Sequence, residues 1–187
     1  MNAYAVYPGS FDPVTYGHLD LIKRALTIFD RVTVAIAKNI GKTPLFTLSE
    51  RVEMMRQATR SLKGVKVEPF DGLVVEYVRR KKAKVVIRGL RMISDFEYEF
   101  QMALTNRKLD RGIETIFLMP SENYAYLSSR LIKEAAALGA KVSDFVPSFV
   151  EKRLKEKLRR KVTDESDSEA NSRRGSFGQG IAGDRAL

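Results

Sequence analysis

The chain has 187 residues, 44% of them hydrophobic, with a formal net charge of +10, one histidine and no cysteine. That length fits one globular domain with a sizeable core, and the missing cysteines exclude a disulfide framework, a thiolate metal site and a thiol nucleophile, while a single histidine leaves little for structural zinc. No basic segment leads into an apolar core at the start, and no apolar run approaches the roughly 20 residues of a membrane span, so the expected location is the cytoplasm.

Ala3 to Tyr7 is a short apolar run suited to a buried strand. Pro8, Gly9 and Pro13 break it into a tight loop, and from Leu19 the apolar residues Leu19, Ile22, Ala25, Leu26 and Phe29 recur at helical spacing. A strand therefore runs through a glycine-containing loop into a helix start, where unpaired N–H groups and the positive dipole end suit a phosphate. His18 stands at that start beside Gly17. The glycine allows close backbone approach, and the histidine can donate a hydrogen bond to a charged oxygen. A βα turn that binds nothing would read the same way. Neither a Walker A sequence nor a G-x-G-x-x-G fingerprint occurs in the chain.

Val32 to Ala37 is the second strand, followed by the polar loop Lys38-Asn39-Ile40-Gly41-Lys42. Thr47-Leu48-Ser49-Glu50 is a capping box opening a helix to about Ser61. Val65 to Glu68 is the third strand; after Phe70-Asp71-Gly72 comes a helix from Leu73 to about Lys81. Lys84 to Ile87 is the fourth strand and ends in Arg88-Gly89-Leu90-Arg91. Ser94-Asp95-Phe96-Glu97 is a second capping box, whose helix runs to about Leu109. Glu114 to Met119 is the fifth strand, Pro120 to Leu127 a loop, and a helix from about Ser128 ends before Gly139. Ser148-x-x-Glu151 opens the last helix, to about Val162. The alternation predicts an α/β, Rossmann-like single domain over 1–162: a five-stranded parallel sheet covered by helices on both faces, plus a C-terminal helix. There is no internal repeat. From Thr163 the apolar content collapses, so 163–187 reads as a disordered tail; Arg173-Arg174-Gly175-Ser176 within it looks like a basic-directed phosphorylation site, a motif common by chance.

The charge is uneven: 151–162 carry +5 and 163–187 carry −2, leaving +7 on 1–150. Such charge suits nucleic acid, anionic membranes or small phosphorylated ligands equally. If the strands are parallel, their terminal loops share one rim, and those loops carry phosphate-friendly groups. They are Ser10, Gly17 and His18; Lys42; Arg88 and Arg91 around Gly89; and Ser128, Ser129 and Lys133. Arg88 and Arg91 offer two guanidinium forks, or are merely solvated. Ser128-Ser129 is first a helix cap, and for that reason also an anion site. Tyr124 and Tyr126 can stack on a base or pack, and packing is favoured for Tyr126. Asp95 and Glu99, four apart, can face one side of their helix, as on any exposed face. A non-catalytic nucleic-acid module stays a rival on charge alone, although the dense basic run Lys152 to Lys161 lacks interleaved aromatics.

The run from Tyr7 to His18 resembles the amino-terminal signature of the nucleotidylyltransferase superfamily, H-x-G-H or T-x-G-H, here Thr15-Tyr16-Gly17-His18. Arg88-Gly89-Leu90-Arg91 followed by Asp95-Phe96-Glu97-Tyr98-Glu99 is similar to phosphopantetheine adenylyltransferases in particular, and Leu127-Ser128-Ser129-Arg130-Leu131-Ile132-Lys133 to the superfamily's second signature, I-S-S-T-x-x-R. The likeness covers the chain up to the tail. It implies reversible transfer of the adenylyl group of ATP to 4'-phosphopantetheine, by direct in-line attack without a covalent enzyme intermediate. It implies that Ser10, Lys42, Val74 and Arg88 hold 4'-phosphopantetheine. ATP would be held by Ser10, Phe11, Gly17, His18, Gly89, Leu90, Arg91, Glu99, Tyr124, Ala125, Tyr126, Leu127, Ser128, Ser129 and Arg130. His18, Lys42 and Arg91 would be the catalytic groups: His18 on the α-phosphate, Lys42 with Arg88 on the acceptor phosphate, Arg91 on the β- and γ-phosphates. Mg²⁺ would arrive on the ATP phosphates with no protein ligand, and the assembly would be a homohexamer with neither nucleic acid nor membrane as partner. The sequence departs from the pattern at Leu127 for Ile, at Arg130 for a third hydroxyl residue, and at Lys133 for Arg; Ser10 keeps the hydroxyl of the alternative Thr. Arg130 forfeits its hydroxyl contact and keeps a backbone one. A sibling enzyme acting on nicotinate mononucleotide shares T-x-G-H, but the Arg88–Glu99 segment argues against it.

Overall fold

The computed structural model describes residues 3–38 and 43–159. Short apolar runs become strands β1 (Tyr4–Gly9), β2 (Arg31–Ala37), β3 (Val65–Phe70), β4 (Val85–Gly89) and β5 (Glu114–Leu118). They pair in parallel in the order β3-β2-β1-β4-β5. Between them lie helices α1 (Tyr16–Ala25), α2 (Leu48–Thr59), α3 (Val74–Arg80) and α4 (Ile93–Leu109); α5 (Ser129–Ala137) and a helix α6 over 148–159 follow β5.

Successive strand residues face opposite sides of a sheet, and two cores result. Ala5, Tyr7, Val34, Ile36 and Ile87 point into one, where they meet Ile22 of α1, Met55 of α2, Ile132 of α5 and Leu154 of α6. Val6, Ala35 and Val86 point into the other, against Val75, Tyr77 and Val78 of α3. Among the described residues α4 sends none into either core, and it leaves Ile93, Phe96, Phe100 and Leu104 exposed.

The order of the strands places the site. From β1 the chain winds out to β2 and β3, then returns to add β4 and β5 on the other side. Beyond the carboxyl ends of β1 and β4 the connections diverge, which opens a crevice there. Gly9 and Gly89 are the last residues of these two strands.

Several boundaries move. α1, capped by Thr15, starts at Tyr16, before the periodic apolar residues begin, and ends at Ala25, so that Leu26 and Phe29 of the periodic run lie beyond it. The Thr47–Glu50 capping box forms as expected, with both its hydrogen bonds. The expected N-cap at Ser94 is displaced by two residues: α4 begins at Ile93, with Met92 as an N-cap that makes no side-chain bond. β4 extends through Arg88 and Gly89, which the sequence pattern assigns to a loop. The 120–127 loop contains a 3₁₀ turn, Glu122–Tyr124. Lys42 and the segment 163–187 lie outside the described residues.

Candidate active site

The first turn of α1 carries the only histidine. Thr15 Oγ1 accepts the His18 backbone N–H at 3.3 Å, and His18 Nδ1 accepts the Thr15 backbone N–H at 3.1 Å. This is a capping box with an imidazole in the place of the usual Glu or Gln. Because Nδ1 is an acceptor, the neutral ring carries its proton on Nε2. The Phe11 ring meets the imidazole edge-on, with centroids 5.0 Å apart. Burial first, and the Arg91 charge second, push the His18 pKa down to about 4. At neutral pH it is therefore an uncharged ring with a single N–H to donate.

On the opposite wall Arg88 leaves β4 on the same side of the sheet as Val86 and reaches α4. Its Nε and Nη2 donate to the two oxygens of Glu99 at 2.6 and 2.5 Å, and its Nη1 donates to the Pro8 carbonyl at 2.9 Å. Burial opposes the guanidinium charge, but the Glu99 carboxylate outweighs it and holds Arg88 above its usual pKa. Asp95 does for Arg91 what Glu99 does for Arg88. Arg91 Nε and Nη2 donate to it at 3.1 and 3.3 Å, while Nη1 donates to the Leu127 carbonyl at 2.9 Å. The i, i+4 acids of α4 thus each grip one arginine at the end of β4. Glu99 is 9% exposed, so it does not belong to an exposed helix face.

The third wall is the start of α5. Ser128 Oγ accepts the Leu131 N–H at 3.1 Å as N-cap, and Ser129 Oγ donates to the Pro13 carbonyl at 2.7 Å. Both hydroxyls serve structure first, leaving the first backbone N–H groups of α5 as its anion donors. Arg130 turns outward to Glu134. Tyr126 is exposed and packs edge-on against Phe145, while Tyr124 lies over Tyr16.

These walls enclose a cleft of about 610 Å³ lined by Ser10, Phe11, Gly17, His18, Arg88, Gly89, Arg91, Glu99, Tyr124, Leu127, Ser128, Ser129 and Arg130. Leu90, Ala125 and Tyr126 do not line it. A second cleft of about 710 Å³ adjoins it, lined by Phe70, Leu73, Val74, Val86 and Met102 together with Asn106. Pro8, Gly9, Ser10, Arg88 and Tyr98 belong to both. The two glycines differ in the room the protein leaves them. A Cβ on Gly17 would sit 3.5 Å from the Tyr124 carbonyl, an ordinary contact, whereas one on Gly89 would come within 2.5 Å of Leu21 Cδ1. It is Gly89 whose missing side chain lets α1 close on the strand end.

Sequence reasoning missed three polar residues. Asp12 is buried, accepts the Leu45 and Phe46 N–H groups at 3.0 and 2.9 Å, and pairs with Lys133 at 2.5 Å. Arg51 is 2% exposed within α2. Its signal was available: at helical spacing it shares the apolar stripe Leu48, Val52, Met55. Asn106, 5% exposed, is the only amide side chain on the second cleft among the described residues, and nothing in its local sequence marks it.

The profile of the cytidylyltransferase-like family matches residues 6–135. A phosphopantetheine adenylyltransferase of Caldanaerobacter subterraneus subsp. tengcongensis is 54% identical over 156 residues, 83% of this chain and 98% of that one. One from Thermodesulfovibrio yellowstonii is 54% identical over 161 residues, 86% and 100% of the two chains. A crystal structure from Vibrio parahaemolyticus, described as a nicotinate-nucleotide adenylyltransferase, superposes with a TM-score of 0.62 at 18% identity over 84% of this chain and 95% of that one, which is a likeness of fold alone.

Proposed function

We propose how the chain acts from one premise: it belongs to the cytidylyltransferase-like family and, with relatives 54% identical along their whole length, to the phosphopantetheine adenylyltransferases. It transfers the adenylyl group of ATP to 4'-phosphopantetheine, giving dephospho-coenzyme A and pyrophosphate. The observation that carries the division of labour is the pair of clefts with a shared wall at Ser10 and Arg88. We assign the polar cleft to ATP and the apolar one, with Val74 and Asn106, to the pantetheine arm. The acceptor phosphate then meets the nucleotide at the shared wall.

A phosphate oxygen of the acceptor attacks the α-phosphorus, and pyrophosphate leaves on the opposite side. Such a transfer needs positioning and charge neutralisation rather than a protein nucleophile. His18 donates its Nε2–H to a non-bridging oxygen of the α-phosphate and, being neutral, exchanges no proton at neutral pH. A guanidinium has five N–H donors; Arg88 uses three on Glu99 and Pro8, which leaves two for the acceptor phosphate. We therefore assign Glu99 to holding Arg88 rather than to the nucleotide. Arg91 and the first amides of α5, at Ser129 and Arg130, take the β- and γ-phosphates. Lys42 is assigned to the acceptor phosphate on the resemblance alone.

Mg²⁺ enters as part of the substrate, on the nucleotide phosphates. The resemblance gives the ion no protein ligand, and both carboxylates of the ATP cleft are paired with cations, Asp12 with Lys133 and Glu99 with Arg88. A homo-oligomer, the hexamer of the resemblance, is supported by the apolar stripe on α4, where Ile93 is 91%, Phe96 46%, Phe100 45% and Leu104 49% exposed. Among the described residues no helix is long and apolar enough to cross a membrane, and the reaction is placed in the cytoplasm, where ATP is found.

The test is pyrophosphate release from ATP and Mg²⁺ with 4'-phosphopantetheine beside nicotinate mononucleotide. Release with the first alone supports the assignment; release with the second alone keeps the family chemistry and overturns the acceptor.

A further inference from the structure

Arg51 touches neither cleft, yet it fixes the loop that both share. Its Nη1 donates to the Ser10 carbonyl at 2.7 Å and to the Ala37 carbonyl at 3.0 Å, and its Nε donates to the Phe46 carbonyl at 3.2 Å. The described residues give it no carboxylate within ion-pair distance; the anion it feels is Asp12, on the same loop. One buried cation therefore ties the end of β1, the end of β2 and the entry to α2, the last two flanking the 38–46 loop that carries Lys42.

The Ser10 contact has a geometric consequence. Only the Asp12-Pro13 bond is cis among the described residues, so the Ser10–Phe11 peptide is trans and its C=O and N–H point opposite ways. With the carbonyl drawn inward to Arg51, the Phe11 N–H faces away, toward the side on which Ser10 and Phe11 line the ATP cleft. That N–H has no acceptor among the described residues. Phe11 also sits at φ +49°, in the left-handed region that a bulky side chain avoids. Such a conformation persists only when its surroundings impose it, and the bond from Arg51 to the preceding carbonyl is one of those surroundings, beside the ring contacts of Phe11 with Tyr7 and His18.

We propose that Arg51 is a positioning residue for nucleotide transfer: by holding the Ser10 carbonyl it keeps the Phe11 N–H turned into the cleft as a fixed phosphate donor, and it ties the ends of β1 and β2 to one another. The role rests on the ATP-cleft assignment. A lysine keeps the charge but radiates its donors from one atom and cannot span three carbonyls as a planar fork does.

The full-length chain is compared with Arg51→Lys and Arg51→Ala by ATP binding at equilibrium, which needs no acceptor, and by steady-state kinetics. ATP binding by the wild-type chain checks the cleft assignment on its own. Arg51→Lys is expected to stay folded and to bind ATP about tenfold more weakly, the worth of one charge-assisted hydrogen bond. Its kcat should fall with KM for 4'-phosphopantetheine changed less. Millimolar guanidinium ion should restore part of the ATP affinity of Arg51→Ala and leave the wild type unaffected. The proposal is overturned if folded Arg51→Lys binds ATP and turns over within twofold of wild type, if guanidinium restores nothing to folded Arg51→Ala, or if neither variant folds, which would make Arg51 a core residue only.

Discussion

The tautomer and charge of His18 can be tested through pH. The ring is neutral when folded, with a pKa of about 4 against 6.5 for the free side chain. Above pH 6.5 both folded and unfolded chains carry the neutral form, and the group contributes no pH dependence. As pH falls below 6.5 the unfolded chain takes up the proton first, so stability is lost progressively down to about pH 4. The slope is about 1.4 kcal/mol per pH unit, and the gap of 2.5 units bounds the total at about 3 kcal/mol. The control is His18→Asn, whose side-chain oxygen can still accept the Thr15 N–H while nothing titrates. Urea midpoints of the two proteins, followed from pH 8 to 4, should run parallel above pH 7 and diverge below 6.5, the wild type losing more. The same ring should put no limb near pH 6.5 in kcat/KM. An acid limb at 6.5 that His18→Asn abolishes would show a ring that charges in the folded state, and would refute the neutral-donor role.

Glu99→Ala leaves the Arg88 guanidinium, a quarter exposed, without its carboxylate. Allowing for that exposure, a loss of about 2–3 kcal/mol in unfolding free energy is expected, with a raised KM for 4'-phosphopantetheine; unchanged values for both would dissociate Glu99 from Arg88. Gly89→Ala sets a methyl 2.5 Å from Leu21 Cδ1, whose side chain is buried, and should cost about 1–3 kcal/mol by thermal melting. Lys133→Met strips the cation from Asp12, whose side chain is 7% exposed but keeps two backbone N–H bonds. A loss of about 2–3 kcal/mol is expected, and the double variant Asp12→Asn, Lys133→Met should lose less than the sum of the single changes.

The sheet was legible because its inner strands β1, β2 and β4 are largely apolar runs, as parallel strands buried on both faces are, while β3 at the edge alternates, with Lys66 and Glu68 between its apolar residues. The caps at Thr47 and Ser128 were legible because a cap is a local pattern. Ser94 shows the limit: it matches the same pattern, but Arg91, bonded to Asp95 and to the distant Leu127 carbonyl, pins the turn into α4 and the helix starts earlier. The rim of the site was visible as phosphate-friendly residues after strands. How its polar groups pair was only partly visible: Arg91 and Asp95 are four apart, but other partners are remote in sequence. Lys133 meets Asp12 across 121 positions and Arg88 meets the Pro8 carbonyl across 80. Glu99 reads as a nucleotide contact by likeness and stands in the structure as the partner of Arg88. A polar residue on an apolar helix face, such as Arg51, carries a signal that periodicity alone discards.

The central claim is that positioned donors alone carry one direct displacement at the α-phosphorus. The most direct measurement is the stereochemical course with ATP bearing a single sulfur of known configuration on that phosphorus and 4'-phosphopantetheine as acceptor. One in-line attack inverts the centre, so the dephospho-coenzyme A analogue should carry inverted configuration throughout. Retention would require two successive displacements, hence an adenylylated side chain, and would contradict the account.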